Sequence, residues 1–139
     1  GKFSDQSKSA GPAVQRPLVA RGAAYADFDR DGDLDILISN NHGPAVLYRN
    51  DGGNRNHYLS IRLRGKASAL GAVVRVTTPA GRQWRTVHSG SSYCSQSDLA
   101  LVFGMGQAAT AKVEIEWPSG KKDVRDNVKT RQHLEFKEP

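Results

Sequence analysis

The sequence predicts an all-β fold, an antiparallel β-sandwich or barrel-like domain. Apolar and polar residues alternate in several short runs, and these runs recur roughly every 8–12 residues between turns rich in glycine and proline. No stretch keeps the 3.6-residue apolar period of a helix for three turns. The chain has 139 residues, which is too short for a TIM barrel or a complete β-propeller. The length fits one domain, or at most one and a half, and the short strands favour an antiparallel β architecture.

The N-terminal third begins with a segment of different composition. Residues 1–20 are rich in serine, lysine, glutamine, proline and glycine, and we predict a linker with one short extended piece near Phe3. An extended segment of this kind is also a candidate donor strand for a neighbouring chain. The first apolar runs follow at residues 34–39 and 45–48, and residues 50–54 carry a strong turn signal.

The remaining elements are predicted from alternation. In residues 58–64 the apolar side chains Leu59, Ile61 and Leu63 fall on one face, as in a half-buried strand. Residues 71–78 and 82–88 form a hairpin around the turn at 79–81. Further strands are predicted around Leu99, Leu101 and Phe103, around Val113, Ile115 and Trp117, at Val124, and at Leu134 and Phe136. Because Trp117 is in phase with Val113 and Ile115, we expect it in the core.

The formal charge of +6 is unevenly distributed. Five of the fourteen acidic residues lie in residues 27–35, which carry −4 with Arg30, so the rest of the chain carries +10. A basic body predicts a solvated surface or attraction to a polyanion such as an acidic glycan. Nucleic acid is disfavoured because the basic residues are scattered singly and interleave poorly with aromatic residues. No apolar run approaches the length of a membrane span, so we expect no membrane insertion.

The acidic segment has the spacing of a metal-binding loop. Carboxylates stand at its first, third, fifth and ninth positions, and Gly32 at the sixth permits a sharp turn. Calcium takes six to eight oxygen ligands, whereas magnesium takes fewer protein ligands and keeps its waters. An EF-hand would need glutamate at the twelfth position, where this chain has Ile38, and flanking helices rather than strands. The predicted Ca²⁺ ligands are Asp27, Asp29, Asp31, Asp33 and Asp35.

Within this set Asp33 is predicted to contribute its backbone carbonyl while its side chain points outward. The alternative is a solvated turn rich in aspartate. Five carboxylates within nine residues repel one another strongly without a cation, which favours the metal site.

Residues 21–25, the acidic stretch 27–35 and residues 36–40 together resemble an FG-GAP (VCBS-type) repeat, the calcium-binding unit of integrin-like propeller blades. The resemblance implies one propeller-blade-like unit. It implies side-chain ligation by Asp27, Asp29, Asp31 and Asp35, with Asp33 as the backbone ligand. Phe3, Ser4 and Asp5 resemble the tail of a preceding repeat.

The rest of the chain resembles the ASPIC/UnbV domain that follows FG-GAP repeats in cartilage-acidic-protein-like secreted proteins. The matching pieces are residues 47–57, 71–76, 89–96, 103–106 and 117–120. The predicted organisation is therefore a linker or donor segment at 1–20, an FG-GAP-like calcium-binding unit at 21–56 and an ASPIC/UnbV-like β domain at 57–139. Cys94 departs from the pattern, which usually has an aliphatic residue there. The resemblance implies an extracellular or cell-surface location, adhesion or matrix roles and no defined catalytic activity.

Enzymatic interpretations find little support in the residues. Cys94 with His88 or His133 would form a thiol nucleophile pair, but a small strand residue filling a core gap is the favoured alternative. No G-x-S-x-G motif is present, and the histidines lack metal-ligand spacing. His57 and His133 are predicted at surface or edge positions of strands. Residues 104–106 are predicted to form a turn rather than a phosphate-binding loop.

We therefore predict a non-catalytic, calcium-stabilised extracellular structural or adhesion module. A single blade has unpaired edges, which predicts self-assembly by strand exchange into a filament, with copies of itself or other protein chains as partners. One alternative is a glycan-binding domain that uses the basic surface and Trp84, a residue flanked by Gln83 and Arg85. The other is the C-terminal part of a larger secreted propeller protein or hydrolase.

Overall fold

The computed structural model describes residues 1–139 and contains ten β-strands and no α-helix. One short 3-10 turn spans Gly53–Arg55. The strands are β1 (Ala20–Ala26), β2 (Asp35–Asn40), β3 (Val46–Tyr48), β4 (His57–Arg64), β5 (Val73–Thr78), β6 (Gly81–Thr86), β7 (Leu101–Gly106), β8 (Thr110–Glu116), β9 (Lys122–Lys129) and β10 (Gln132–Lys137). The all-β prediction is confirmed. No helix of the protein is long and apolar enough to cross a membrane.

Two sheets form a sandwich around one core. The first has the strand order β10-β4-β7, and the second has the order β6-β5-β8-β9. Alternate residues of the central strands point inward, as a strand period of two requires. Leu59, Ile61 and Leu63 of β4 are buried together, and Trp117 is only 2% exposed, so both core predictions are confirmed. The core also contains Ala72, Val74, Val76, Val87, Leu101, Phe103, Met105, Ala111, Val113 and Ile115.

One pairing departs from the antiparallel prediction, because β10 runs parallel to β4. Leu134 stands opposite Ile61, and Phe136 stands opposite Leu63. The turn before β10 explains the direction, since the Arg131 N–H donates to the Tyr58 carbonyl at 2.7 Å. The chain thus reaches the start of β4 and then follows it. Alternation carries no information on strand direction, which is why the sequence did not reveal this pairing.

A third sheet, β1-β2-β3, is an antiparallel meander attached to the side of the sandwich. The attachment runs through the outer edge of β1. The Tyr25 N–H donates to Ser97 Oγ at 3.2 Å, and the Asp98 N–H donates to the Tyr25 carbonyl at 3.0 Å. Ile36 on one face, and Leu37 on the other, each remain nearly half exposed. The small sheet is therefore less completely covered than the sandwich.

Three local predictions have definite outcomes. Residues 1–19 contain no strand, so the region around Phe3 does not pair with any sheet. The predicted turn at residues 104–106 is wrong, because β7 continues to Gly106 and Met105 is buried in the core. The prediction that Cys94 fills a core gap is also wrong. Cys94 is exposed in a turn with a φ of 47°, a left-handed conformation that a strand residue would not adopt.

Candidate metal centre

The acidic loop connects β1 to β2, and the ladder between these strands closes it. Ala26 pairs with Asp35 in the antiparallel register, so the first and last carboxylates of the loop come to the same end of the small sheet. Gly32 has a φ of 102°, a conformation that side chains rarely adopt. The Gly32 backbone also lies against the ring of Tyr58 with no room for a Cβ. The loop is therefore both tightly turned and pressed onto β4.

Three carboxylates converge at this point. Asp27, Asp29 and Asp35 each offer an oxygen, and these oxygens lie within 4.8 Å of one another. Oxygens that share one calcium ion at 2.3–2.6 Å have mutual separations up to about twice that distance. The spacing therefore suits a common cation, and three of the five predicted ligands are brought together.

The two carboxylates at the ends of the loop differ in how they are satisfied. Asp35 is buried, and its oxygens accept hydrogen bonds from the N–H groups of Phe28 and Asn50, both at 2.9 Å. Asp27 has a side chain only 5% exposed, and its Oδ2 accepts the Gly32 N–H at 3.1 Å. Its Oδ1 is buried without a hydrogen-bond partner.

Asp33 is placed differently from its prediction. Its side chain was expected to point outward, but Asp33 is buried. Its Oδ2 accepts the N–H groups of Gly52 at 3.3 Å and Asn54 at 3.2 Å, and its Oδ1 is buried with no partner. The physical reason is the 3-10 turn after β3, which folds over the loop and presents backbone donors to it. This turn is a part of the site that sequence reasoning missed.

Asp31 stands apart from the three converging carboxylates. Its Oδ1 accepts the Asp33 N–H at 3.1 Å, and its Oδ2 accepts the Asn54 side-chain amide at 2.8 Å. Asp31 therefore ties the acidic loop to the same turn that holds Asp33.

The unpartnered oxygens test whether the residues present fit a cation. A buried carboxylate oxygen without a donor is costly, and native proteins satisfy nearly all such atoms. In the acidic loop Asp27 Oδ1 and Asp33 Oδ1 are both of this kind. An all-oxygen, carboxylate-rich donor set is the one that Ca²⁺ prefers. The residues therefore fit a hard divalent cation.

Electrostatics inside the loop act in the same direction. Burial raises the pKa of Asp27 above its ordinary value, and the neighbouring charges of Asp31 and Asp29 raise it further. The Gly32 N–H and the nearby His133 oppose the rise. Burial, with the charges of Asp27 and Asp31, also raises the pKa of Tyr58. Without a cation the loop therefore disfavours negative charge at Asp27.

The sandwich contributes a wall to the site. His133 Nε2 lies 3.5 Å from Asp27 Oδ2 and 3.3 Å from the Arg30 carbonyl. The rings of Tyr58 and His133 meet edge to face at 5.5 Å between centroids. His133 was predicted at the surface or edge of a strand, and its role beside the loop depends on the parallel β4–β10 pairing. No sequence signal indicated that contact.

The residues considered for nucleophilic catalysis lie in unrelated surroundings. Cys94 is exposed on its turn. His88 Nδ1 lies 3.0 Å from the Thr86 carbonyl, while His133 faces the acidic loop. No hydrogen bond joins the thiol to either imidazole. The remaining histidine named above, His57, contacts the Ala108 carbonyl at 2.9 Å and is half-buried.

The comparison with protein families identifies the sandwich. The family model described as ASPIC and UnbV matches residues 63–139, more than half of the chain. The chain belongs to the ASPIC and UnbV family. The matched part of this ASPIC/UnbV chain runs from the end of β4 through β10. It includes most of the core and leaves the acidic loop outside.

Curated relatives extend the similarity of this ASPIC/UnbV chain toward its N-terminus. Cartilage acidic protein 1 of Homo sapiens and of Mus musculus are each 33% identical over 117 residues, covering 80% of this chain and 18% of the relative. The Xenopus tropicalis protein is 34% identical over 106 residues, covering 72% of this chain and 16% of the relative. The chain thus spans less than a fifth of the length of these relatives. A match over 80% of 139 residues necessarily includes Asp31, Asp33 and Asp35.

Proposed function

We propose that this ASPIC/UnbV chain is a non-catalytic, calcium-stabilised structural or adhesion module that works outside the cell. One observation carries the proposal: Asp27, Asp29 and Asp35 bring carboxylate oxygens within 4.8 Å of one another, and Asp27 buries an oxygen that has no donor. A bound calcium ion would satisfy groups that otherwise destabilise the folded chain. The cation would then be part of the fold rather than a reagent.

The proposed ligands follow the FG-GAP resemblance of residues 21–56, with support from the geometry. Asp27, Asp29 and Asp35 converge. Asp33 belongs to the set through the backbone carbonyl that the resemblance implies, since its carboxylate is not in the converging group. Asp31 belongs to it through its place in the motif, although its carboxylate binds Asp33 and Asn54 in the structure described here.

The position of the loop supports a structural role. The loop joins β1 to β2 and also touches the sandwich through Tyr58 and His133. A cation bound there would fasten the small sheet to the ASPIC/UnbV domain. Binding only to the folded state raises the free energy of unfolding by an amount that grows with the ratio of free calcium to Kd.

The proposed location rests on the name of the relatives and on the calcium affinity of extracellular modules. The relatives carry the name cartilage acidic protein 1, and cartilage consists largely of extracellular matrix. Extracellular calcium modules have Kd values of about 10⁻⁴–10⁻³ M, and we expect the Kd of this loop in that range. We extend the extracellular setting to this chain as part of the proposal.

The small sheet supports a structural assembly role in addition. Ile36, Leu37 and Leu47 are each nearly half exposed, so both faces of the sheet present apolar surface. β3 has only three residues and lies at the edge of its sheet. Two arrangements would cover such a sheet: further blades of a larger propeller protein or hydrolase, or strand exchange between copies, with residues 1–20 as donor. Light scattering with calcium separates them, since strand exchange predicts concentration-dependent growth of the particles.

The decisive experiment is a calcium titration by calorimetry, together with melting curves in calcium and in EGTA. We expect saturable binding and a higher melting temperature in calcium. Asp27→Asn should weaken binding, whereas Asp126→Asn, an exposed carboxylate on β9, should not. Equal melting temperatures in calcium and EGTA would overturn the proposal.

A further inference from the structure

The four-stranded sheet has a second face that the core does not use. The odd-numbered residues of β5 and the even-numbered residues of β8 alternate with the core side chains and point outward. The strand register places these outward side chains in rows across the sheet. One row crosses all four strands and contains Trp84, Arg75, Glu114 and Val124. We call this surface the outer face. Its central row is at least partly exposed to solvent.

Trp84 is an unusual residue for this surface. Its side chain is 68% exposed, although tryptophan is ordinarily well buried. The residues in register or beside it are charged rather than apolar, with Arg75 directly opposite and Arg82 two positions earlier on the same face. Trp84 is therefore an aromatic side chain at the edge of a polar surface, and it also borders a cavity lined by Tyr25, Leu34 and Leu99. This setting differs from the small sheet, where apolar side chains neighbour one another.

The charges around Trp84 leave a positive excess. Arg75 pairs with Glu116 at 2.9 Å, and Glu114 is shared by Arg82 at 3.4 Å and Lys112 at 3.5 Å. Lys112 and Lys122 also lie on the outer face, opposite or beside these pairs. The four cations and two carboxylates give the face a net charge of +2. A groove lined by Arg75, Arg82, Glu114, Glu116, Lys122 and Asp123 runs along this face, and Asp123 is itself paired with Arg125 at 3.1 Å. Trp84 and Lys112 lie outside the lining of this groove.

We propose that the outer face binds an acidic polysaccharide that crosses the strands, with one pyranose ring stacked on Trp84 of β6. Carboxylate or sulfate groups of sugars further along the polysaccharide are then held by Lys112 and Lys122, two and three strands away. A pyranose ring has an apolar C–H face that suits an exposed indole, and polar groups at its rim that suit arginine and glutamate side chains. The net positive charge selects an anionic chain over a neutral one. The inference adds a ligand to the adhesive role proposed above and rests on that role only for its extracellular setting.

A single-stranded nucleic acid is the other polyanion that stacks on aromatic side chains. Such proteins present successive aromatic residues along a basic groove. The outer face offers only Trp84, with Val124 at the far end of its row. One stacking residue among paired charges therefore favours the saccharide, and the nucleic acid becomes an outcome of the test.

The two tryptophans of the chain make a direct assay available. Trp84 is exposed and Trp117 is 2% exposed, so ligand contact should change the fluorescence of Trp84 alone. The probe is a chondroitin sulfate oligosaccharide, titrated into the full chain in calcium, with calorimetry for the Kd of each variant. We expect saturable binding and a blue shift that saturates with it. Trp84→Ala should weaken binding by at least about tenfold, as loss of an aromatic anchor does.

Matched variants separate this site from general effects. Tyr93→Ala removes another exposed aromatic, 72% exposed in the loop before β7, and should bind as the wild type does. Lys112→Gln with Lys122→Gln should weaken binding and reduce its salt dependence. Unchanged melting temperatures would show that the variants fold.

Three results would overturn the inference. The first is no binding of chondroitin sulfate, and the second is equal binding by Trp84→Ala. The third is binding of polyglutamate or oligothymidylate as tight as that of the saccharide, which would assign the face to charge alone or to nucleic acid. The calcium-dependent melting shift is measured on the same preparations. A lost saccharide signal with an intact calcium shift therefore rejects this inference and leaves the proposed function standing.

Discussion

The imidazole of His133 lies 3.5 Å, Nε2 to Oδ2, from the carboxylate of Asp27, so the strand that completes the sandwich touches the first residue of the acidic loop. Tyr58 on the neighbouring strand stacks edge to face on the same imidazole. The acidic loop and the sandwich are therefore in direct contact, so a substitution in one should have a detectable effect on the other.

Asp27→Asn should have opposite effects in the two metal states. In EGTA the variant should melt at the wild-type temperature or above it, because the amide removes a buried charge that has one unpartnered oxygen. In calcium it should melt lower, because a ligand is lost. At free calcium 100-fold above Kd the wild type gains about 2.7 kcal/mol of unfolding free energy. Asp126→Asn is the control, and parallel losses in both states would contradict the metal assignment.

The gap between the melting temperatures in calcium and EGTA should widen from acid to neutral pH. Burial raises the pKa of Asp27 in the folded, metal-free chain. Protonated Asp27 therefore stabilises the folded, metal-free chain fully below the unfolded pKa of about 3.9. This stabilisation is lost as the pH rises through the higher pKa of the folded state. Calcium binding requires the ionised form, so protons compete with it in this same window.

Other carboxylates titrate in the opposite sense and must be subtracted. Hydrogen bonds from Arg75 and Arg64 lower the pKa values of Glu116 and Glu135, and that stabilisation is lost as the pH falls. Melting curves of wild type and Asp27→Asn across pH 4–7 isolate the Asp27 contribution. If the difference between the melting temperatures in calcium and EGTA has the same pH dependence in Asp27→Asn as in the wild type, that pH dependence does not come from Asp27.

Gly32→Ala should destabilise the chain by about 2 kcal/mol or more, since it adds an overpacking cost to a backbone cost. A Cβ at Gly32 would meet the Tyr58 ring, and the φ of 102° is strained for any side chain. Gly90→Ala is the matched control, because Gly90 also has a positive φ of 67° but nothing within 4 Å of a new Cβ. Urea unfolding in EGTA should show a larger loss of unfolding free energy for Gly32→Ala than for Gly90→Ala. Equal losses would show that the Tyr58 ring adds no cost at Gly32.

The two tryptophans should differ sharply in their effect on stability. Trp117→Ala should cost about 3–5 kcal/mol, because it opens a cavity in the core. Trp84→Ala should change the unfolding free energy by less than about 0.5 kcal/mol, as expected for an exposed site. Denaturant unfolding of both variants provides the comparison, and a large loss for Trp84→Ala would mean that the outer face has a structural role.

The parts of the fold that sequence predicted are those fixed by local pattern. The inward residues of β4 follow from alternation with period two, and Trp117 follows from its phase with Ile115. The parallel placement of β10 was not predictable in this way, because a strand has the same alternation in either direction. His133 reaches the acidic loop only through that pairing.

The candidate site likewise has a part that local sequence predicts and a part that depends on the folded chain. Asp27, Asp29 and Asp35 follow from their spacing in the loop, and the structure brings them together. The inward carboxylate of Asp33 depends on backbone donors at Gly52 and Asn54, which come from a turn after β3. The left-handed turn at Cys94 likewise replaced the strand that its neighbours suggested. A tertiary contact therefore decides the placement of Asp33, whereas the turn at Cys94 is closed locally by the hydrogen bond from the Ser95 N–H to the Ser92 carbonyl.

The parallel pairing of β10 with β4 has a consequence for the order of assembly during synthesis. Gln132 of β10 pairs with Leu59 of β4, so the edge of β4 that β10 covers stays unpaired until β10 emerges from the ribosome. Contacts so distant in sequence slow folding, and a waiting apolar edge invites pairing with other nascent chains. The His133 contact to Asp27 also cannot form before that moment. The acidic loop is therefore synthesised before β10 and acquires its complete surroundings only once β10 has been made.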